Sequence, residues 1–171
     1  MPQTGFVIQV PEADACVGSL RDRFDATARL GMAAHVTILF PFMAPEAIDN
    51  TTLRQIRDAI ASIAPFRFSL ASVGRFPATT WLAPDPPGPF VALTERLAAA
   101  FPAYPPFGGE FDSIIPHLTA AHGDAAEAAL AERELKATMA AQGPIAGWCH
   151  SLTLLENASG RWKTMHEFAL R

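Results

Sequence analysis

Apolar residues recur along most of this chain with either a helical or an alternating spacing, and the two spacings predict a series of helices and strands. The predicted strands cover residues 5–10, 35–40, 66–76, 79–83, 116–122, 145–155 and 162–170. Four helices are predicted. The first covers residues 14–30, and the second begins near residue 50 and ends before Pro65. The third extends from Pro89 to Phe101, and the fourth runs from Asp124 to the Gly143-Pro144 stop.

The order of these elements indicates the fold class. Strands and helices alternate, as in a parallel α/β protein, but the last two strands are joined by a short turn that contains Asn157 and Gly160. Such a turn connects antiparallel neighbours. An α+β fold is therefore favoured over a doubly wound sheet.

One predicted strand, HVTILFPF from His35, has polar residues where a buried strand would be apolar. His35 and Thr37 are two residues apart, so both side chains point to one face of an extended chain, and Val36 and Ile38 point to the other. The sequence predicts that one face of this strand lies in the core and that the other carries chemistry.

The same arrangement occurs again in the other half of the chain, where His117, Leu118 and Thr119 form a second His-x-Thr triplet. Both triplets lie on predicted strands, and each strand leads through a short loop into an amphipathic helix. An internal duplication would place the two copies symmetrically about a shared cleft. Each histidine alone would more often be a satisfied core residue, and it is the repetition that favours a functional pair.

A pair of facing histidines suits acid–base chemistry at a phosphate. The ordinary pKa of histidine lies near 6.5, so one ring can accept a proton while the other donates one. His35 and His117 are thus the candidate catalytic residues, and the hydroxyls of Thr37 and Thr119 are candidates to hold the phosphate oxygens. No metal and no cofactor is expected. The sequence leaves open which histidine is the acid.

With these motifs the chain resembles the 2H phosphoesterase superfamily, specifically the bacterial 2′-5′ RNA ligase-like proteins. The resemblance rests on both triplets, on LRDRFDATARLGMAAHVTILFPF, on FDSIIPHLTAAH and on RWKTMHEFAL. It implies one domain over residues 1–171, with a pseudo-symmetric bilobal α+β fold of two antiparallel sheets flanked by helices and a central groove that carries both motifs. It also implies metal-independent chemistry on 2′,3′-cyclic phosphates or 2′-5′ phosphodiester linkages. The chain departs from the expected pattern after the second motif, where Ala120, Ala121 and His122 replace a bulkier apolar side chain.

Composition narrows the expected substrate and location. The formal net charge of −4 disfavours an extended grip on nucleic acid, which usually requires a basic surface, so a small nucleotide or an RNA terminus is the expected partner. Cys16 and Cys149 match no metal or redox spacing, the first residues lack a secretory-signal pattern, and no apolar run could span a membrane. A cytoplasmic protein, acting as a monomer, is expected.

Further residues are candidates to bind the substrate. Arg75 and Arg161 could supply local positive charge, and the rings of Phe42 and Trp81 could stack on a base. Alternatively, the two arginines occupy solvent-exposed strand positions and the two aromatic side chains pack in the core. Two other functions stay open: a non-catalytic protein that binds nucleotides or RNA ends, and an α+β interaction domain in which the triplets are coincidental.

Overall fold

The computed structural model describes all 171 residues, Met1 to Arg171, as a curled antiparallel sheet with helices packed against it. The strands are β1 (Thr4–Gln9), β2 (His35–Leu39), β3 (Phe66–Phe76), β4 (Thr79–Asp85), β5 (Leu118–His122), β6 (Ile145–Cys149), β7 (Ser151–Glu156) and β8 (Lys163–Ala169). The α-helices are α1 (Asp14–Phe24), α2 (Ala26–Arg29), α3 (Asn50–Ile60), α4 (Gly88–Ala100) and α5 (Ala125–Gln142). No helix has the length and apolar character that a membrane span requires. The α+β class is confirmed.

The strand order is β6-β3-β4-β5-β2-β1-β7-β8, and every neighbouring pair is antiparallel. The two expected antiparallel sheets are the halves of one continuous sheet, because β2 and β5 meet at the centre and join two sets of four strands. Only one pair of residues, Val36 and Leu118, connects the halves in the ladder. Both side chains are fully buried, so the join lies within the core.

The helix predicted over residues 14–30 is broken at Asp25. The Asp25 carboxylate accepts hydrogen bonds from the backbone N–H of Thr27 (3.1 Å) and from Nε of Arg21 (3.2 Å). It therefore caps α2 with an extended backbone and ends α1. The apolar spacing continues across the break, which is why periodicity alone misses it.

The strand predicted over residues 145–155 is also two strands, divided at His150. β6 pairs with β3 at one edge of the sheet, whereas β7 pairs with β1 and β8 in the other half. The predicted hairpin is confirmed only for its second part, as the β7–β8 pair. Both segments are apolar enough to be buried, so the sequence pattern does not show that the chain passes from one half of the sheet to the other at His150.

The predicted helix signals near the second motif are confirmed. Asp124 and Glu127 form a capping box at the start of α5: the Asp124 carboxylate accepts from the N–H of Glu127 (2.8 Å), and the Glu127 carboxylate accepts from the N–H of Asp124 (3.3 Å). α5 and α1 pack together and against β5, while α4 packs against β2. Each motif strand is thus held against helices on its apolar face.

Candidate active site

The two His-x-Thr motifs lie side by side at the centre of the sheet. His35 and Thr37 are half-buried and alternate with the buried Val36, and His117 and Thr119 alternate in the same way with Leu118. Because β2 and β5 run antiparallel through the Val36–Leu118 pair, the register sets His35 beside Thr119 and Thr37 beside His117. The predicted division of β2 into a core face and an accessible face is therefore what the structure shows.

The two imidazole rings are held by the same local hydrogen bond. Nδ1 of His35 donates to the carbonyl oxygen of Ala33 (2.7 Å), and Nδ1 of His117 donates to the carbonyl oxygen of Ile115 (2.7 Å). A carbonyl oxygen can only accept, so the proton of each neutral ring lies on Nδ1. Nε2 is left in both rings as the atom that can accept or donate a proton.

His35 lines a cavity of about 180 Å³ together with Thr27, Met32, Thr37 and Trp162, among other residues. A buried ion pair lies behind this cavity. Arg21 is 4% exposed and Asp25 is 5% exposed, and Nη2 of Arg21 also donates to the carbonyl oxygen of Met32 (2.7 Å). Asp25 in turn accepts from the Thr27 hydroxyl (2.7 Å). The pair therefore fixes two residues of the cavity wall.

The surroundings of His35 favour its neutral form. Burial lowers its pKa from the ordinary 6.5 to about 4, and the positive charges of Arg21 and His117 act in the same direction. The hydrogen bond to Ala33 and the charge of Asp25 oppose this shift. The charge of His117 is among the influences on the pKa of His35 because the paired strands β2 and β5 carry the two motifs side by side.

His117 has aromatic neighbours instead of an ion pair. The centroid of its ring lies 5.3 Å from that of Phe76 and 5.7 Å from that of Trp81, and these two aromatic rings are themselves 5.0 Å apart. Burial lowers the pKa of His117, and the hydrogen bond to Ile115 opposes this. No neighbouring charge contributes to the shift of the His117 pKa.

Trp81 can take this place because of a glycine on the next strand. Trp81 pairs with Gly74 on one side and with Thr119 on the other. A Cβ atom at Gly74 would overlap the indole ring, so only glycine leaves room for it. The indole Nε1 is buried without a hydrogen-bond partner. Of the aromatic candidates, Trp81 is thus brought beside the second motif, against His117 and Thr119.

A larger cavity of about 350 Å³ adjoins the second motif. It is bounded by His117 and Thr37, by α4, and by the loop that precedes His117. Phe107 of this loop lines both this cavity and that of His35. Its N–H donates to the carbonyl oxygen of Phe40 (2.7 Å), and its φ of 51° is unusual for a residue with a side chain. Phe107 therefore stands between the two histidine cavities.

Two predicted substrate-binding residues do not reach this region. Phe42 is 5% exposed and packs against the rings of Phe6, Phe101 and Tyr104, so it belongs to the core. Arg75 also points elsewhere: its Nη1 approaches Glu132 of α5 (3.5 Å) and its Nε donates to the carbonyl oxygen of Phe76.

The position of Arg75 follows from a bulge in β3. The β3–β4 register shifts between Leu70 and Ser72, which reverses the alternation of faces beyond that point. Arg75 consequently shares a face with its partner Thr80, whose hydroxyl donates to the Ala128 carbonyl of α5 (2.6 Å). Both side chains lie on the helix side of the sheet and not on the side of Trp81.

Arg161 lies near the first motif. It is exposed, its Nη1 donates to the carbonyl oxygen of Arg29 (3.1 Å), and the adjacent Trp162 lines the cavity of His35. Arg161 is thus at the rim of this cavity and does not line it. Neither histidine cavity is lined by a lysine or an arginine.

The stretch after the second motif packs tightly. Ala120 and Ala121 are fully buried, and His122 is exposed with its Nδ1 2.8 Å from the Thr79 hydroxyl. The structure places no group of three or more His, Cys, Asp or Glu side chains where they could hold a metal ion. The small side chains at 120 and 121 therefore belong to the core.

Sequence reasoning missed the Arg21–Asp25 pair, Phe107 and the residues of α4 that line the larger cavity. Arg21 and Asp25 are four residues apart, which is a spacing typical of an ordinary surface ion pair on a helix. A signal was present in the apolar residues around them, because Leu20 and Phe24 place Arg21 close to the buried stripe. No sequence signal identified Phe107.

The fold is that of LigT-like phosphoesterases. E. coli LigT in complex with 3′-AMP is similar over 99% of this chain and 98% of its own, with a TM-score of 0.60 and 17% identity. E. coli LigT with NADP+ is similar over 98% and 96%, with a TM-score of 0.60 and 18% identity. The Thermus thermophilus protein TT0787 is similar over 99% and 98%, with a TM-score of 0.60 and 16% identity.

The family assignment comes from the sequence itself. The sequence model of the 2′-5′ RNA ligase superfamily matches residues 9–161, a span that includes both His-x-Thr motifs. The chain belongs to this superfamily of 2H phosphoesterases. Among curated proteins, none matches the chain. The predicted resemblance is thus confirmed at the level of the superfamily.

Proposed function

We propose that this protein is a metal-independent phosphoesterase that acts on 2′,3′-cyclic phosphates or 2′-5′ phosphodiester linkages of nucleotides or RNA ends. The observation that carries the proposal is the matched pair of hydrogen bonds from Nδ1 of His35 and His117 to backbone carbonyl oxygens. These bonds leave Nε2 of each ring as the reactive atom, on two adjacent strands in the middle of the sheet. That arrangement suits acid–base catalysis at one phosphorus centre.

In this proposal His35 is the general base. For a cyclic phosphate, its neutral Nε2 accepts a proton from water as the water oxygen bonds to phosphorus. Protonated His117 then donates its Nε2 proton to the ribose oxygen that leaves, and the hydroxyls of Thr37 and Thr119 donate to the non-bridging oxygens. The product is a ribose phosphate monoester; His35 then releases its proton to solvent and His117 takes one up from solvent, which restores both rings.

The different charges around the two rings support this assignment. Burial is the main cause that lowers the pKa of His35 to about 4, and Arg21 adds to it while Asp25 opposes it, whereas no charged group is among the causes that lower the pKa of His117. A bound phosphate anion favours the charged form of a nearby histidine. We therefore assign the acid to His117, because a bound phosphate anion favours its protonated form without opposition from Arg21.

The proposed substrate is small. The net charge of −4 and the absence of lysine and arginine from both cavities give little to hold a long phosphate backbone. Solved structures of LigT hold 3′-AMP, ATP and NADP+, which are small nucleotides. We further propose that residues 1–171 act as one two-lobed domain, as a monomer, in the cytoplasm. Hydrolysis is the proposed direction, because water is abundant and one site accelerates both directions alike.

The test is turnover of a nucleoside 2′,3′-cyclic phosphate in the presence of EDTA. Activity should survive the chelator and fall by about a hundredfold or more in both His35→Ala and His117→Ala. His150→Ala is the matched control, since His150 is exposed and lines neither cavity, and it should keep full activity. Loss of activity with EDTA would contradict the metal-independent mechanism.

The pH profile of kcat/KM adds an independent check. The base must be neutral and the acid protonated, and the pKa of each group is lowered from 6.5. A bell-shaped profile with its optimum on the acidic side of neutrality is therefore expected. Binding of the nucleotide without turnover would instead identify a non-catalytic binding protein. If the protein neither binds nor turns over the nucleotide, an α+β interaction domain is the remaining alternative.

A further inference from the structure

The larger cavity differs in charge from what a phosphate-binding region usually offers. Although His117 and Thr37 lie at its edge, its only other charged lining residues are the acids Glu95 and Asp112. None of the chain's four ion pairs involves Glu95 or Asp112. Two free carboxylates would repel a second phosphate group of a substrate and attract hydrogen-bond donors.

The size and walls of this cavity suit a nucleobase. Its volume of about 350 Å³ falls within the range of small-molecule sites. Phe107 and Phe111 meet edge to face on the loop side, 5.6 Å apart, and they are 40% and 62% exposed. Exposed aromatic faces beside a polar rim are the usual surroundings of a base that is read outside a helix.

The backbone that carries Glu95 is held in place relative to the first motif. It follows Thr94 on α4, and the buried Thr94 hydroxyl donates to the carbonyl oxygen of Ile38 on β2 (2.7 Å). Ile38 is itself adjacent to Thr37. The helix turn that carries Glu95 is therefore tied to the strand that carries the proposed phosphate-binding hydroxyl, whereas Asp112 lies on the opposite, loop side.

We infer that the larger cavity binds the nucleobase of the substrate and that the Glu95 carboxylate selects guanine. This inference rests on the proposed function, since it needs a nucleotide whose phosphate is held by the two motifs. Guanine presents two adjacent donors, N1–H and N2–H₂, which match the two oxygens of one carboxylate. Uracil presents one N–H flanked by two carbonyl oxygens, which a carboxylate repels.

The experiment compares guanosine and uridine 2′,3′-cyclic monophosphates as substrates. For the unmodified protein, kcat/KM should be about tenfold or more higher with the guanosine compound, as expected for two hydrogen bonds to a charged group. Glu95→Gln should remove most of this preference, chiefly through KM for guanosine. It should also raise activity on uridine, because the glutamine amide offers a donor and an acceptor that match the uracil edge.

The matched control is Glu46→Gln, an exposed carboxylate that lines none of the cavities described, and it should leave the guanosine-to-uridine ratio unchanged. Equal kcat/KM for the two compounds, or a ratio that Glu95→Gln does not alter, would overturn the inference and leave the proposed function standing. A general loss of structure would reduce activity on both compounds, and it would not improve the uridine reaction.

Calorimetric binding of guanosine and uridine 3′-monophosphates separates this inference from the proposed function. If no cyclic phosphate is turned over, the proposed function fails, but base selection is still decided by these two affinities. Tighter binding of the guanosine compound, reduced by Glu95→Gln, supports the inference. Equal affinities overturn it.

Discussion

The surroundings of His35 and of His117 differ although the two motifs share the same strand arrangement and the same local hydrogen bond. In both rings Nδ1 donates to the carbonyl oxygen two residues earlier. Behind His35 lies the buried Arg21–Asp25 pair, and beside His117 lie the rings of Phe76 and Trp81. A repeated motif thus fixes which nitrogen is available, while the residues around it determine how readily that nitrogen takes a proton.

In the proposed mechanism, this difference assigns separate roles to the two histidines. A nearby cation and burial both disfavour a charged imidazole, but only the cation acts through long-range electrostatics. The pKa of His35 therefore depends on its burial and on the charges of Arg21 and Asp25, whereas the pKa of His117 depends on how closely its neighbours pack around it. Each dependence can be tested by a substitution that leaves the histidine in place.

The largest expected effect is that of Arg21→Met. It leaves the Asp25 carboxylate buried without its partner, and the free energy of unfolding should fall by about 3–5 kcal/mol. The measurement is urea unfolding at pH 7. Arg23→Met is the matched control on the same helix: its pair with Glu134 is exposed, with side chains 44% and 41% accessible, and its loss should cost less than about 1 kcal/mol. Similar costs for both variants would contradict a special role for the buried pair.

The next effect is on the pH dependence of stability. The pKa of His35 is about 4 in the folded protein and near 6.5 when unfolded, so the unfolded chain binds the proton first as the pH falls. His35 therefore lowers stability progressively between pH 6.5 and pH 4, by up to about 3 kcal/mol. His35→Gln should flatten urea-derived stability over this range, and His117→Gln should flatten it less, since no charge adds to burial there. Parallel curves for His35→Gln and the unmodified protein would disprove this.

The smallest effect concerns the aromatic side of the comparison. Gly74→Ala places a Cβ atom against the Trp81 ring, which should cost about 1–3 kcal/mol of stability and shift the indole relative to His117. The kcat/KM for a cyclic phosphate should fall by about tenfold, since small displacements near a reacting group are costly. Gly18→Ala on α1 meets no atom within 4 Å and should leave activity unchanged. Unchanged activity in Gly74→Ala would show that Trp81 does not position His117.

The parts of the site that the sequence predicted are those set by local rules. Alternation along β2 identified the shared face of His35 and Thr37, and the capping box located the start of α5. The superfamily and the α+β class followed from the paired motifs and the order of elements. Each of these signals can be found without knowing any contact, because each motif is a short run of adjacent residues even though its two copies lie far apart in the chain.

The parts that the sequence did not predict depend on contacts between distant segments. Arg75 was expected near the groove, but a bulge at residues 70–72 turns it toward α5. Phe42 was expected to be able to stack on a base, but it is enclosed by the rings of Phe6 in β1 and of Phe101 and Tyr104 after α4. The breaks at Asp25 and His150 leave the apolar pattern intact. None of these features changes the local pattern from which a prediction can be made.

The single ladder contact between Val36 and Leu118 makes the spacing of the two imidazoles a property of apolar packing. Little backbone hydrogen bonding resists a hinge-like movement of one half of the sheet against the other. The separation of the two histidines is therefore set largely by the packing of Val36 and Leu118 in the core. If the proposed mechanism holds, trimming Val36 or Leu118 would disturb the alignment of the two histidines through the packing of the core.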